Sequence, residues 1–199
     1  MVNENVHIND AVLVDRCIWG DHKAIETIIL KYQNRIYNVI LKICANPEDA
    51  AELTQETFVK VIEKIGTFKG NSTFYTWLFR IAVNLTLNHC KRSVKLGFRS
   101  LDAEDQRFGQ AGASLKEYLA DVGTVQPDRI AINNELCDLL RKSLMKLDDD
   151  QRAVVVLRDI EGMDYAAIAD VLNIELGTVK SRISRGRSNL REIMETFVK

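Results

Sequence analysis

Asp164 to Arg191 reads DYAAIADVLNIELGTVKSRISRGRSNLR. This stretch decides the fold class, because its apolar residues recur at three- and four-residue steps on either side of one break. Asp164 is placed to cap a short helix from Tyr165 to Val171, packed through Ile168 and Ala169. Small Ala166 and Ala169 let a second helix come close. Leu172-Asn173-Ile174 turns the chain, and asparagine tolerates a left-handed backbone better than most residues. The next helix starts at Glu175 or Leu176 and runs towards Phe197. It buries Val179, Ile183 and Leu190, and displays Thr178, Lys180, Ser181, Arg182, Ser184, Arg185 and Arg187 elsewhere. Two helices joined by a tight turn, the second one basic, have the outline of a helix-turn-helix.

A helix of this kind fits the major groove, with its N-terminal half nearest the base edges. Lys180, Ser181 and Arg185 fall within about one and a half turns and are expected to face DNA together. Arg182 and Arg187 suit the phosphate backbone. The free amides near Leu176 to Thr178 suit a phosphate. Two other readings fit the same residues: a solvated basic face on a terminal helix, or a protein-binding module.

Upstream, Pro127-Asp128 opens a helix running to about Leu147. Asp148, Asp149 and Asp150 offer a cap for a short helix, Gln151 to Asp159, that Gly162 ends. Val154-Val155-Val156 is ambiguous by propensity, and the caps around it favour helix. Residues 97–126 differ: Gly97, Gly109, Gly112 and Gly123 interrupt them and their periodicity is weak. They read as a linker, with one short helical turn near Leu115 to Leu119. The chain therefore divides into residues 1–96, a linker 97–126 and residues 127–199, an all-α protein of two small helical domains.

Four helices are readable before the linker. Asn9 or Asp10 caps one ending near Trp19. Asp21 caps the next, which runs to Cys44 with Ile25, Ile28, Ile29, Tyr32, Ile36, Val39, Ile40 and Ile43 in helical register. Asn46-Pro47-Glu48-Asp49 is a helix start: a cap, a proline in the first turn, and acids against the dipole. That helix carries Ala50, Leu53, Phe58, Val61, Ile62 and Ile65 to about Gly66. Ser72 or Thr73 caps a fourth through Trp77, Leu78, Ile81, Leu85 and His89 to about Lys95.

The formal net charge is −1, which by itself argues against nucleic acid. Its distribution does not. Residues 133–175 carry 5 basic and 10 acidic side chains, whereas residues 176–191 and residues 77–99 each carry 5 basic and none acidic. Two positive segments sit in a neutral chain. The third helix is acidic, with Glu48, Asp49, Glu52, Glu56 and Glu63 against Lys60 and Lys64. Phe68, Phe74, Tyr75, Trp77 and Phe79 gather beside the basic fourth helix and suit stacking on unpaired bases, while Trp77 and Phe58 also fall in apolar registers that suit a core. Asn84 and Asn88, one turn apart, are either readers of base edges or plain exposed amides.

Other classes find little support. Cys17, Cys44, Cys90 and Cys137 are widely spaced in helical patterns and read as buried thiols. His7, His22 and His89 do not cluster with them, so no metal and no cofactor is expected. Acidic residues of the third helix invite a di-iron reading, but Glu-x-x-His occurs only at Glu4 to His7, ahead of the helices. No nucleophile–base pair or phosphate loop marks an enzyme. No apolar run of spanning length and no basic-then-apolar leader is present, which leaves the cytoplasm as the expected compartment and no direct membrane insertion.

Three motifs, in order, resemble the extracytoplasmic-function class of bacterial sigma factors within the sigma-70 family. Asp49-Ala50-Ala51-Glu52-Leu53-Thr54-Gln55-Glu56-Thr57-Phe58 resembles the helix that binds core polymerase. Phe74-Tyr75-Thr76-Trp77-Leu78-Phe79-Arg80-Ile81-Ala82-Val83-Asn84 resembles the segment that opens DNA. Gly177-Thr178-Val179-Lys180-Ser181-Arg182, then Arg185-Gly186-Arg187, resembles the reader of the upstream element. Leu157-Arg158-Asp159-Ile160-Glu161-Gly162 and Ile168-Ala169 precede it as in the family. The likeness spans nearly the whole chain.

The resemblance implies a division of labour. Asp49, Glu52, Leu53, Gln55, Glu56 and Phe58 would bind core RNA polymerase, on a coiled coil of β′, its largest subunit, with β also in contact with the factor. Residues 66–76 would form the −10 recognition loop, so that Lys69, Asn71, Ser72, Phe74, Trp77, Arg80, Asn84, Asn88, Lys91 and Arg92 meet −10 promoter DNA. Thr178, Lys180, Ser181, Arg182, Ser184, Arg185 and Arg187 would meet the −35 element. A cognate anti-sigma factor, often membrane-anchored in this family, is implied as a further partner. The sequence departs from the family pattern at Asn88, Ala166, Ala167, Glu175 and Ser184, so no promoter sequence is transferred. Two rival functions remain: a helix-turn-helix regulator acting without polymerase, and an interaction scaffold for acidic partners.

Overall fold

The computed structural model describes residues 10–95 and 139–198. Helices are α1 (Asp10–Ile18), α2 (His22–Cys44), α3 (Pro47–Lys64), α4 (Phe74–Lys95), α5 (described over 139–145), α6 (Asp149–Val155), α7 (Tyr165–Leu172) and α8 (Leu176–Val198). Among the described residues there is no strand, as the periodicity predicts. The expected linker 97–126, Cys137 and the start of the helix from Pro127 lie outside the described residues.

Local chemistry sets most boundaries. Asp21 Oδ1 accepts from the amides of Lys23 (2.9 Å) and Ala24 (3.3 Å), while Arg16 binds its other oxygen and holds the carboxyl below its usual range. Asn46 Oδ1 accepts from Glu48 N and Asp49 N, with Pro47 next. Thr73, rather than Ser72, caps α4 by accepting from Thr76 N at 3.1 Å. Asp164 Oδ1 accepts from Ala167 N at 2.7 Å. Each satisfies amides that the first helical turn leaves without partners. Asn173 is left-handed (φ 52°), as its type suggests; Ala45 is too (φ 68°), ending α2 where a glycine is commoner.

The ambiguous valine run is helical. α6 passes into a π turn over Val156–Ile160, closed by Glu161 N to Val156 O at 3.0 Å. Across this wide turn Asp159 reaches α8, through Arg187, whereas Glu161 reaches α2, through Arg35 and Lys42.

α2, α3 and α4 pack together with α1 beside them; α6, α7 and α8 form the helix-turn-helix unit. One buried apolar cluster includes residues of both halves, from Leu13 through Phe79 and Val83 to Ile168, Val171, Val179 and Ile183. α4 lies against α7, and α2 against α6 and the π turn. Leu144, Leu147 and Val155 make a second small cluster with Leu190 and Ile193 at its edge. Cys17, Cys44 and Cys90 are buried as expected, and burial pushes Cys44 up to about 12.

Four expectations need correction. Ile62 lies in an apolar register yet is 43% exposed. Ala166 is exposed, and Ala167 with Ala169 fills the close contact instead, because α7 is rotated to turn Ile168 and Val171 inward. Leu53 and Phe58 are core residues and present no outward surface to a polymerase. Phe74 is also in the core, edge-on to Phe68 with centroids 5.9 Å apart, so its ring is not open to a base.

Candidate polymerase and nucleic-acid interfaces

α8 separates its residues by angle. At 100° per residue, Val179, Ile183, Gly186 and Leu190 fall on one arc; the first three are buried and Leu190 is half-buried. Gly186 belongs there for steric reasons, since a Cβ at that position would stand 2.9 Å from Val155 Cγ2. The outward arc spans about 140° and runs, in order around the helix, through Lys180, Ser184, Ser181 and Arg185. Lys180 and Arg185 therefore lie on opposite flanks rather than side by side, with the serines between them. Lys180 borders a groove of about 370 Å³ shared with Tyr165, Ser184, Arg187, Ser188 and Arg191. Arg185 borders a crevice of about 320 Å³ that also holds Lys91 and Asp148 to Asp150. Small hydroxyls flanked by long cations match a helix seated in a DNA groove, hydroxyls towards bases and cations within reach of bases or phosphates.

Lys180 and Arg185 make no ion pair among the described residues. Arg182 binds Asp150 at 2.9 Å, and Arg187 binds Asp159, with Nε to Oδ2 at 3.1 Å. Ser181 Oγ donates to Thr178 O at 3.0 Å, and Thr178 is half-buried. Ser184 is exposed.

The basic face of α4 is arranged differently. Arg80, Asn84, Asn88 and Lys91 share one side at three- and four-residue steps, and α7 covers its first half, at Arg80 and Asn84. Arg80 Nη2 meets Asp170 at 2.5 Å, Asn84 Nδ2 donates to Val171 O at 3.2 Å, and Lys91 Nζ stands 3.9 Å from Asp150. Arg80 Nε is buried without a hydrogen-bond partner. Asn88 and Arg92 are exposed, as are Lys69 and Asn71 at the tip of the preceding loop; Ser72 is half-buried. Trp77 is half-buried and packs on Phe68 at 5.4 Å and Phe74 at 5.8 Å between centroids. The aromatic group is thus mostly core, with Trp77 at its margin.

On α3, Glu52, Gln55 and Glu56 are exposed on one stripe with Val59 and Ile62. The last two are 54% and 43% exposed, and sequence reasoning passed over them as surface residues. Their place seven and ten residues after Glu52 on an acidic stripe was the available signal. Asp49 is half-buried, with His89 Nε2 at 3.2 Å.

Two further residues were not singled out. Arg152, 3% exposed, donates to Leu144 O (2.9 Å), Ile43 O (2.6 Å), Met145 O (2.9 Å) and Leu147 O (2.7 Å). It serves carbonyls near the ends of α2 and α5, where a cation suits the negative pole of each helix. Glu161 takes Arg35 Nε at 2.8 Å and Tyr75 Oη at 3.3 Å, with Lys42 Nζ at 3.9 Å. No local sequence signal marked either residue, because their partners are Arg35, Lys42 and Tyr75 for Glu161 and mostly backbone carbonyls for Arg152. Among the described residues no group of His, Cys, Asp and Glu is arranged to hold a metal, and no helix is long and apolar enough to cross a membrane.

Comparison with known proteins agrees with the arrangement. Residues 28–95 match the family description Sigma-70 region 2, and residues 137–190 match Sigma-70, region 4. The RNA polymerase sigma-H factor of Pseudomonas aeruginosa is 34% identical over 194 residues, covering 96% of each chain. The ECF RNA polymerase sigma-E factor of Escherichia coli K12 is 30% identical, covering 96% of this chain and 97% of its own. In fold, the chain is similar to CnrH solved with the cytosolic domain of CnrY (TM-score 0.65, 22% identity, 94% of this chain and 97% of that one). It is also similar to RpoE of Bartonella quintana solved with the anti-sigma factor NepR (TM-score 0.62, 22% identity, 87% and 98%). With both regions matched in order and relatives aligned end to end, the chain belongs to the extracytoplasmic-function class of sigma-70 family RNA polymerase sigma factors, which direct core polymerase to promoters and are not themselves enzymes.

Proposed function

We propose that the chain assigns its three tasks to three faces. The α3 stripe of Glu52, Gln55, Glu56, Val59 and Ile62 docks on core polymerase, with Asp49 at its edge and Leu53 and Phe58 holding the helix from beneath. Its mix of acids and exposed apolar residues suits a basic coiled-coil partner. The α4 side, through Arg80, Asn84, Asn88, Lys91 and Arg92 with Trp77 and the loop bearing Lys69, Asn71 and Ser72, captures unpaired −10 bases. The outward arc of α8, with Thr178, Arg182 and Arg187 beside it, reads the −35 duplex. Residues 1–96 carry the first two tasks, residues 127–199 the third, and 97–126 join them.

The observation that carries this reading is the separation of an acidic, partly apolar stripe on α3 from the cation-bearing sides of α4 and α8. No bond is made or broken by this chain. Trapping a base offsets part of its unstacking cost, a few kcal/mol, and polymerase performs the transfer. The reading places the protein in the cytoplasm with an anti-sigma factor as a further partner; the Bartonella quintana complex with NepR supports an anti-sigma partner and does not bear on a membrane anchor.

Reconstituted transcription with core polymerase and a promoter library tests the whole. Start sites should move to a new, shared pair of promoter elements when the protein is added. Unchanged start sites, or no association with core enzyme, would refute the assignment.

A further inference from the structure

We propose that Asp159 is a positioning residue for −35 recognition: it holds the Arg187 guanidinium in the plane in which the flank of α8 receives a backbone phosphate of the duplex. The proposal rests on the reading of α8 as the −35 reader. Arg187 has a long, exposed side chain, which by itself would sample many rotamers. Asp159 accepts from its Nε at 3.1 Å through Oδ2 and from its Nη2 through Oδ1. Carboxylate and guanidinium thus meet edge to edge, in the two-bond fork that fixes plane as well as position. A guanidinium has five N–H groups. Asp159 takes two of them and leaves three, both of Nη1 included, for a second anion.

The π turn brings Asp159 to this place. Its closure from Glu161 N to Val156 O spans five residues instead of the four of an α turn. Consecutive side chains then serve two neighbours. Asp159 reaches Arg187 on α8. Arg158 turns to α7, with its guanidinium 4.9 Å from the Tyr165 ring centroid and its Nη1 donating to Met163 O at 2.7 Å. Tyr165 and Arg187 both line the groove of about 370 Å³ between α7 and α8, so one turn braces both of its sides. Single π turns inside α-helices recur at functional sites.

The groove suits an anion. Lys180, Arg187 and Arg191 follow one another at seven and four residues, within about 40° around α8 and over about 16 Å along it. Ser184 and Ser188 stand beside this ridge, and no residue lining the groove is acidic. Arg185 lies on the opposite flank. Cations on both flanks suit a helix seated between two phosphate strands, with Ser181 and Ser184 between them. As a tether of the fold, by contrast, the Asp159–Arg187 pair does little. Its side chains are 35% and 49% exposed, and solvent-facing pairs hold weakly. An acid beside a DNA-facing arc also repels phosphate. Holding Arg187 in place is what offsets that repulsion.

The test uses holoenzyme formed with the full chain and a promoter recovered from the library. Arg187→Ala should weaken promoter binding about tenfold, the scale of a lost hydrogen bond to a charged group. Asp159→Ala should weaken it about fivefold, the scale of ordering one long side chain at an interface, with the thermal unfolding midpoint of the free chain unchanged. Asp159→Glu, which keeps a carboxylate, should recover most of that loss. Asp159→Ala should add no loss to Arg187→Ala. A scan of single methylphosphonate substitutions through the −35 duplex should find one phosphate whose neutralisation weakens binding by the parent but not by either alanine variant. Tighter or unchanged binding by Asp159→Ala overturns the proposal, and so does a loss that comes with a lower midpoint and that Asp159→Glu leaves in place. In each of those cases a loss with Arg187→Ala keeps α8 as the reader. If neither Arg187→Ala nor Arg185→Glu weakens binding, the reading of α8 itself falls.

Discussion

α4 and α8 carry equally basic stretches, yet α8 leaves Lys180 and Arg185 open to solvent, whereas α4 keeps Arg80 and Asn84 against a neighbour. α8 has one apolar arc, satisfied within the helix-turn-helix by Val155, Ile168 and Val171, so its opposite side is left open. α4 meets α2 and α3 on one side and α7 on another. Asp170 and Val171 answer Arg80 and Asn84, and Asp150 answers Lys91. A cluster of like charges in sequence thus says that a positive face exists; whether it is open depends on acids placed far along the chain.

The largest expected effect comes from removing what holds the cover in place. Arg152→Met leaves buried carbonyls of α2 and α5 without a donor and should cost about 3 kcal/mol, read as a lower urea midpoint. Amide exchange on the α7-facing side of α4 should rise with it, making α4 resemble α8. An unchanged midpoint would mean that the carbonyls find other donors.

Arg185→Glu should weaken promoter binding by the holoenzyme by about 2 kcal/mol, roughly thirtyfold, without altering the dimensions of the free chain. If the variant binds normally, the outward arc of α8 is not the reader. Asn84→Ala should slow promoter opening about tenfold in permanganate footprinting, the scale of one lost hydrogen bond to a base. Closed-duplex binding should stay as it was; an equal loss in both would erase the contrast between the helices. The smallest change is expected for Lys180→Ala, which should lower the slope of log affinity against log salt by about 1 and leave sequence preference alone.

Helices with strong local signals were readable because their causes lie within a few residues. Asp21, Asn46, Thr73 and Asp164 cap helices through amides two or three positions away. The acidic third helix and both basic segments were likewise visible. Ala45 was not a visible stop, because nothing in its type predicts a left-handed turn. Gly186 looked like a motif residue until Val155 supplied the reason for it. Leu53, Phe58 and Phe74 matched the family's functional segments, but a motif marks a segment and not which of its side chains face out. Lys180 and Arg185 seemed neighbours by spacing, whereas the helix sets them on opposite flanks.

By itself the sequence determined the helical class, the helix-turn-helix, the acidic docking helix and the presence of two cationic segments, since periodicity, capping and charge are properties of short windows. The tertiary structure alone decided that Arg152 and Glu161 tie the halves together and that α7 engages Arg80 and Asn84 of α4 while Lys180 and Arg185 of α8 stay open. Those outcomes rest on contacts such as Asn84 with Val171, 87 positions apart, and Arg35 with Glu161, 126 apart. Exposure is a property of which surfaces meet, and no local pattern encodes a meeting at that distance.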